Sequence, residues 1–300
     1  MKKFLFVGFS FITPVIVLCV TASLVEWNIF RRDVRWPDRH IAVCGDSLIG
    51  AGINFEQWPE IINFGQGTTQ PVVWRAKLGV WLDENPQIDT FIVQMWSGIL
   101  TRDIGRTSTD RAQFSRGWAP SITLLDVFRR HEMGGLPKSG FARNFIRGPV
   151  CQFLRRLFGL EVQHPLTRRI FKKETGCVKD TEEWRSGFKE RLNSWGTVPD
   201  SIDMPVFKEY DDIFDELKRR NVRIMILTPP LMPQVRDKIM ANGVREWSEA
   251  QIVKYATKYN AEWLNLLDAV PEPEYFQDAI HLNLKGAERF TEILKNELAR

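Results

Sequence analysis

A serine attacks a carbonyl only when a base removes its proton, and this chain of 300 residues holds just four histidines that could do so. The stretch IAVCGDSLIG, residues 41–50, sets Ser47 directly after Gly45 and Asp46 at the end of a short apolar run. His40 precedes that run and so lies at its wrong end, while His131 and His164 fall in a basic stretch without strand character. His281, in YFQDAIHLNLKGA, stands just before the last helical pattern and is the natural base for Ser47. Asp278 lies three residues ahead of it, a spacing at which both side chains can face one site from a single turn. Its carboxylate would accept from the imidazole and leave the other ring nitrogen to take the Ser47 proton. Taken singly, each residue has a plainer role: Ser47 as a small turn residue, His281 as a cap on the last helix.

The surrounding polar and small residues read as support. Asp46 is expected to hydrogen-bond the turn backbone. Asn63, in NFG, is expected to hold its loop, and Gly65 to leave room for close approach of substrate, which a Cβ would obstruct. Thr68 and Thr69 read as N-caps, and Asn283 and Gly286 as the turn and packing of the last helix. No metal or cofactor is needed for this chemistry, and no CxxC or Cys/His spacing suggests zinc.

These residues must be delivered by regular elements. From Ile41 onward, short apolar runs alternate with amphipathic stretches, the pattern of strands and helices around a parallel sheet. HIAVCGDS, EIINFGQG, DTFIVQMW, NVRIMILTPP and AEWLNLLDAV read as five strands, continuous in hydrophobicity as buried parallel strands are. Val73, Leu78, Trp81 and Leu82 recur at helical spacing, and Leu284, Ala287, Phe290, Ile293, Leu294 and Leu298 share one face of a closing helix. Of the eleven tryptophans, Trp74, Trp81 and Trp96 are expected in the core, with Trp96 also placed to line a sugar site.

The rhythm breaks between about 103 and 205, which reads as a mostly helical insertion. Residues 129–173 carry eleven basic side chains against two acidic, although the whole chain is only +4. This piece reads as a solvated helical cap or as a surface for an acidic polymer or anionic headgroups, its Phe141, Phe145, Phe153 and Phe158 interleaving with arginines. No recognition motif accompanies the charge, so nucleic acid is not the expected partner. Cys151 and Cys177 either stay free or pair across a loop of about 26 residues, worth about 3 kcal/mol.

At the other end, Phe4–Val25 runs for 22 residues without a charge, about the length that spans a bilayer. VTAS at 20–23 would serve as a cleavage site, but the run is long for a signal peptide, and an uncleaved anchor over 1–30 is expected. Arg31, Arg32, Arg35 and Arg39 outnumber Lys2 and Lys3, which by charge alone would keep the body cytoplasmic.

Together, Gly-Asp-Ser after the first strand, Asn-x-Gly after the second and Asp-x-x-His before the last helix resemble the SGNH or GDSL hydrolase superfamily. The resemblance covers 41–102 and 206–300. It implies an α/β fold of the flavodoxin-like three-layer α/β/α kind with a parallel sheet, here with the helical insertion and an N-terminal transmembrane helix, so that 38–300 forms one hydrolase-like domain. It further implies Ser47 as nucleophile, His281 as base, Asp278 as its orienter, and the N–H groups of Ser47 and Gly65 as oxyanion donors. After the third strand the superfamily's Asn is missing, since QMWSGIL stands there. Either Ser97 or Gln94 replaces that donor, or the hole has two. The layout also resembles the anchored branch that holds alginate O-acetylation proteins and the teichoic-acid D-alanine transfer protein. That resemblance implies an exported body, a membrane-bound O-acyltransferase as partner, and acyl transfer on cell-envelope carbohydrate or polymer. The rival reading is a non-catalytic envelope protein that binds polysaccharide or scaffolds an acyltransferase, and a secreted esterase for small esters shares the same chemistry.

Overall fold

In the computed structural model, residues 34–65 and 70–101, apart from 55, and 205–300, apart from 242, are described, with scattered positions before 34 and one at 198. The expected insertion, with His131, His164, Cys151 and Cys177, lies outside the described residues, as do Thr68, Thr69 and most of 1–33. Among the described residues no helix is long and apolar enough to cross a membrane.

Runs of Ile, Val, Phe and Leu stiffen the backbone toward extended geometry, and all five expected strands form. They are β1 (Ile41–Cys44), β2 (Ile61–Asn63), β3 (Thr90–Gln94), β4 (Arg223–Thr228) and β5 (Glu262–Asn265). They pair in parallel in the order β2-β1-β3-β4-β5. β3 is buried along its whole length, as a central strand covered on both faces must be. The fifth strand is shorter than its apolar run. Leu267 and Val270 are buried, but they sit in a turn closed by the Ala269 N–H donating to the Leu266 carbonyl at 3.1 Å. β5 is an edge strand with Glu262 and Asn265 exposed.

The helices are α1 (Ser47–Gly52), α2 (Pro71–Glu84), α3 (Ser97–Leu100), α4 (Pro205–Arg219), α5 (Pro233–Ile239), α6 (Val244–Tyr259) and α7 (Leu284–Leu298). α7 packs on α1, whereas α4 and α6 pack with β4 and α3. Two groups arise because travel across the sheet reverses after β2, and right-handed crossovers put the connections made before and after that reversal on opposite faces. On the expected face of α7, Ala287, Phe290 and Leu294 are fully buried, while Leu284, Ile293 and Leu298 are half-buried.

The described residues divide into two units. The larger comprises Trp36–Arg75, Asn85–Ile104 and Leu166–Arg300 and holds the sheet. In its core Tyr210 stacks on Phe214 and meets Trp74 edge-on, with centroids 6.0 and 6.4 Å apart. Arg75 is joined to the buried Glu209 at 2.6 Å, the pairing that a buried carboxylate requires. Among the described residues, the smaller unit holds Ala76–Glu84 and the Arg31–Glu84 ion pair.

Candidate active site

The strand order reverses between β1 and β3, and open parallel sheets hold their ligands beyond the carboxyl ends of the strands at such a point. Ser47 lies there, as the first residue of α1. Asp46 is the N-cap: it is extended at φ −85° and ψ −154°, and its carboxylate accepts from the Leu48 N–H at 2.8 Å. This satisfies one of the four N–H groups that every helix start leaves open. The Ser47 side chain stays partly exposed at the rim.

The second part of the site comes from the chain between Pro273 and α7. A short 3-10 turn, Pro273–Tyr275, leads into a loop closed by the bridge between Phe276 and Leu282 and by Gln277 donating to the His281 carbonyl at 2.8 Å. Within this loop one Asp278 carboxylate oxygen accepts from the backbone N–H groups of Ile280 at 3.0 Å and His281 at 2.8 Å. The Asp-x-x-His spacing therefore folds as a turn around its own carboxylate. Asn283 then caps α7 by accepting from Gly286 at 3.0 Å and donates to the Glu274 carbonyl at 2.6 Å. A Cβ at Gly286 would fall 2.1 Å from the Tyr275 carbonyl, so only glycine allows the helix to start against the turn. Asn283 and Gly286 thus do what the sequence suggests.

These two pieces meet. The Ser47 Oγ lies 2.7 Å from the His281 Nε2, and the His281 Nδ1 lies 2.8 and 3.0 Å from the two Asp278 oxygens. Since a carboxylate can only accept, Nδ1 carries the ring hydrogen and Nε2 is left as the acceptor of the serine hydroxyl. Burial pushes the Asp278 carboxyl up, but the ring hydrogen bond and charge of His281, with the two backbone N–H groups, outweigh it and hold the carboxyl below its usual range. His281 is largely covered and Asp278 is half open to water, at 18% and 46% side-chain exposure. His40 is remote in role, its carbonyl capping the other end of β3 through Asp89 and Thr90.

The expected oxyanion groups fare differently. The Ser47 N–H belongs to the open first turn of α1. The Gly65 N–H instead donates to Asn63 Oδ1 at 2.8 Å, while Asn63 Nδ2 donates to the Ile49 carbonyl at 3.1 Å. Asn63 does hold its loop, and in doing so occupies the N–H expected for substrate. The reason for glycine also differs: a Cβ at Gly65 would lie 2.6 Å from the Gly50 backbone nitrogen. It is α1, not substrate, that needs the space. Gln94 is engaged with Asp46 through both ends of its amide. Its Oε1 accepts from the Asp46 N–H at 2.6 Å and its Nε2 donates to Asp46 Oδ1 at 3.0 Å. Ser97, in contrast, is buried at 1% exposure, and its hydroxyl has no hydrogen-bond partner among the described residues.

Trp96 is not available to a sugar. It is 2% exposed, and a Cβ at Gly98 would fall 2.3 Å from its ring. Trp74 and Trp81 are core residues, as expected. Cys44, at the end of β1, is free and buried, and burial pushes its thiol up, away from reactivity. The tie between Gln94 and Asp46 escaped the sequence reading, although a signal for it exists. A glutamine within the otherwise apolar run TFIVQMW must find a partner if the strand is buried.

No protein-family model matches the sequence, and no curated protein matches it. Among solved structures the chain is similar to a Bacteroides fragilis protein classed as an acylhydrolase, at 9% identity and a TM-score of 0.42 over 93% of this chain and 96% of that one. It is similar to a GDSL-like lipase from Bacteroides thetaiotaomicron, at 9% identity and a TM-score of 0.41 over 93% and 98%. A third is a carbohydrate acetylesterase family member from Sinorhizobium meliloti, at 12% identity and a TM-score of 0.33 over 86% and 96%.

Proposed function

We propose that this protein is a serine esterase or O-acyltransferase of the SGNH type, working through an acyl-serine at Ser47. The observation that carries the reading is the unbroken series Ser47 Oγ, His281 Nε2, His281 Nδ1 and Asp278, each step at hydrogen-bond length. In the first half-reaction the Ser47 oxygen bonds to the ester carbonyl carbon as its proton passes to His281 Nε2. The negative charge collects on the carbonyl oxygen, with the Ser47 N–H and the Ser97 hydroxyl as its donors. Collapse breaks the bond to the leaving oxygen, which takes the proton from His281, and the acyl group stays on Ser47. In the second half-reaction the oxygen of water or a sugar hydroxyl bonds to the acyl carbon and gives its proton to His281; the bond from that carbon to Ser47 Oγ then breaks, and Oγ takes the proton back from His281. Asp278 remains anionic throughout and stabilises the imidazolium.

The acyl groups are proposed to be those of cell-envelope carbohydrate or polymer, on an exported body held by an anchor at 1–30 and working beside a membrane-bound O-acyltransferase. Two features support this: the uncharged run Phe4–Val25, and the exposed apolar side chains of Val17, Val20 and Leu24 in helical residues. The commitment of the Gly65 N–H to Asn63 favours the second reading, a non-catalytic polysaccharide-binding or scaffold protein with a thin oxyanion hole. A fluorophosphonate probe separates the two. Labelling of wild type but not of Ser47→Ala supports the enzyme; a folded wild type that stays unlabelled supports the scaffold. Export is tested apart from chemistry, by a compartment reporter fused after Arg300.

A further inference from the structure

The nucleophile's turn is held by amide side chains from the ends of both strands that flank β1. On one side, Asn63, the last residue of β2, donates to the Ile49 carbonyl in α1 at 3.1 Å. On the other, Gln94, the last residue of β3, forms a reciprocal pair with Asp46: it accepts the Asp46 N–H at 2.6 Å and donates to the Asp46 carboxylate at 3.0 Å. Both members of the second pair are buried, Gln94 completely. We propose that Gln94 is a positioning residue for the reaction: its amide fixes the backbone and carboxylate of Asp46, and through them the direction of the Ser47 hydroxyl toward His281. The inference rests on the serine reading above and deepens it.

Three observations give the pair this role rather than a general part in the core. A Cβ at Gly45 would fall 2.3 Å from the Ile49 side chain and 2.4 Å from Gln94 Oε1, so the bare glycine lets both α1 and the Gln94 amide close on the turn. The carboxylate oxygen that receives Gln94 also caps α1 through Leu48, so one atom sets both the strand end and the first helical turn, with Ser47 between them. Gln94 is itself anchored from outside the site, because the Tyr210 hydroxyl donates to its carbonyl at 2.8 Å. A buried hydrogen bond is directional, and a serine displaced by about 1 Å from its base can lose two orders of magnitude in rate.

Charge makes the proposal testable. Glutamate has the shape of glutamine but must carry a proton to donate, so at this position it would face the Asp46 carboxylate and restore the bond only when one proton is shared between them. The titratable groups facing the pair are Cys44 and Tyr210, both held neutral by burial, and His281 across Ser47. Fluorophosphonate labelling rates of full-length Gln94→Glu and Gln94→Leu are measured against wild type at each pH from 5 to 8, with circular dichroism on every sample. A short acyl ester supplies kcat and KM. Gln94→Leu is expected to label about 10- to 100-fold slower at every pH, through kcat with KM unchanged. Gln94→Glu is expected to match that deficit near pH 8 and to come within about threefold of wild type near pH 5. Labelling of Gln94→Leu at the wild-type rate, a Gln94→Glu deficit that does not vary with pH, or loss of fold in both variants would overturn the inference while leaving the serine reading intact. An unlabelled wild type overturns both.

Discussion

Asp278→Asn is the sharpest perturbation of the site, because it removes a charge with almost no change in shape. In the wild type one oxygen holds the Ile280 and His281 N–H groups while both oxygens face the His281 Nδ1. The asparagine oxygen will keep the two backbone donors, which turns the amide NH2 toward the ring. Nδ1 must then accept, the ring hydrogen moves to Nε2, and the base facing Ser47 becomes a donor. Reversing a neutral hydrogen bond from favourable to unfavourable swings the tautomer balance by about 2 kcal/mol. Loss of the charged partner of the imidazolium adds up to about 3 kcal/mol for a sheltered pair, taken here as about 2 because Asp278 is 46% exposed and screened by water. Together, at about 1.4 kcal/mol per decade, this predicts a fall of roughly 10^3 in labelling rate and in kcat.

The assay is the pseudo-first-order labelling rate of Ser47 at pH 7.5, with ester hydrolysis beside it. A variant within tenfold of wild type would falsify the tautomer argument and return Asp278 to the status of a turn residue. The pH dependence of stability gives a second reading of the same group. The folded carboxyl is held below its ordinary value, so the unfolded chain takes up its proton first as pH falls. The stabilisation from Asp278 is therefore whole above the ordinary carboxylate range, about 4, and fades as pH falls through the lower folded value. Thermal melts should show a constant gap between wild type and variant from pH 5 to 8 that closes below about pH 4.

Other substitutions separate folding from chemistry. Ser97→Ala should lower kcat by about 10- to 100-fold if the hydroxyl serves the oxyanion, yet leave Tm unchanged or raised, since a buried hydroxyl without a partner costs about 1 kcal/mol or more. A Tm that falls with kcat unchanged would show a structural hydroxyl instead. Gly65→Ala forces a Cβ against the Gly50 backbone at 2.6 Å and should cost about 1–3 kcal/mol by chemical denaturation. Tyr210→Phe removes the donor to the Gln94 carbonyl and should cost about 1–2 kcal/mol, read as a lower denaturation midpoint at constant slope.

The sheet was legible because its strands are covered on both faces and so are written as unbroken apolar runs. The same rule overextended β5, because Leu267 and Val270 are buried in a turn and a run of apolar residues cannot tell a strand from a covered turn. Ser47, Asp278 and His281 were legible for a different reason. Ser47 sits where an apolar run gives way to a turn, Asp278 and His281 lie just before the last helical pattern, and histidine is scarce enough here that elimination leaves one candidate.

What escaped were the partners that packing selects. Whether the Gly65 N–H faces a substrate or Asn63 depends on how closely Gly50 in another element approaches, and no local pattern encodes that distance. In the sequence, Gln94 stands beside Ser97 as an alternative oxyanion donor because its type allows it. Its commitment to Asp46 follows from the register that sets Cys44 beside Val93, which brings the next residues on both strands together. A strand's last polar residue therefore points to whatever the neighbouring strand delivers beyond its own end. Here that is the turn that carries Ser47, so the amides of β2 and β3 stand between the sheet's stability and the direction of one hydroxyl.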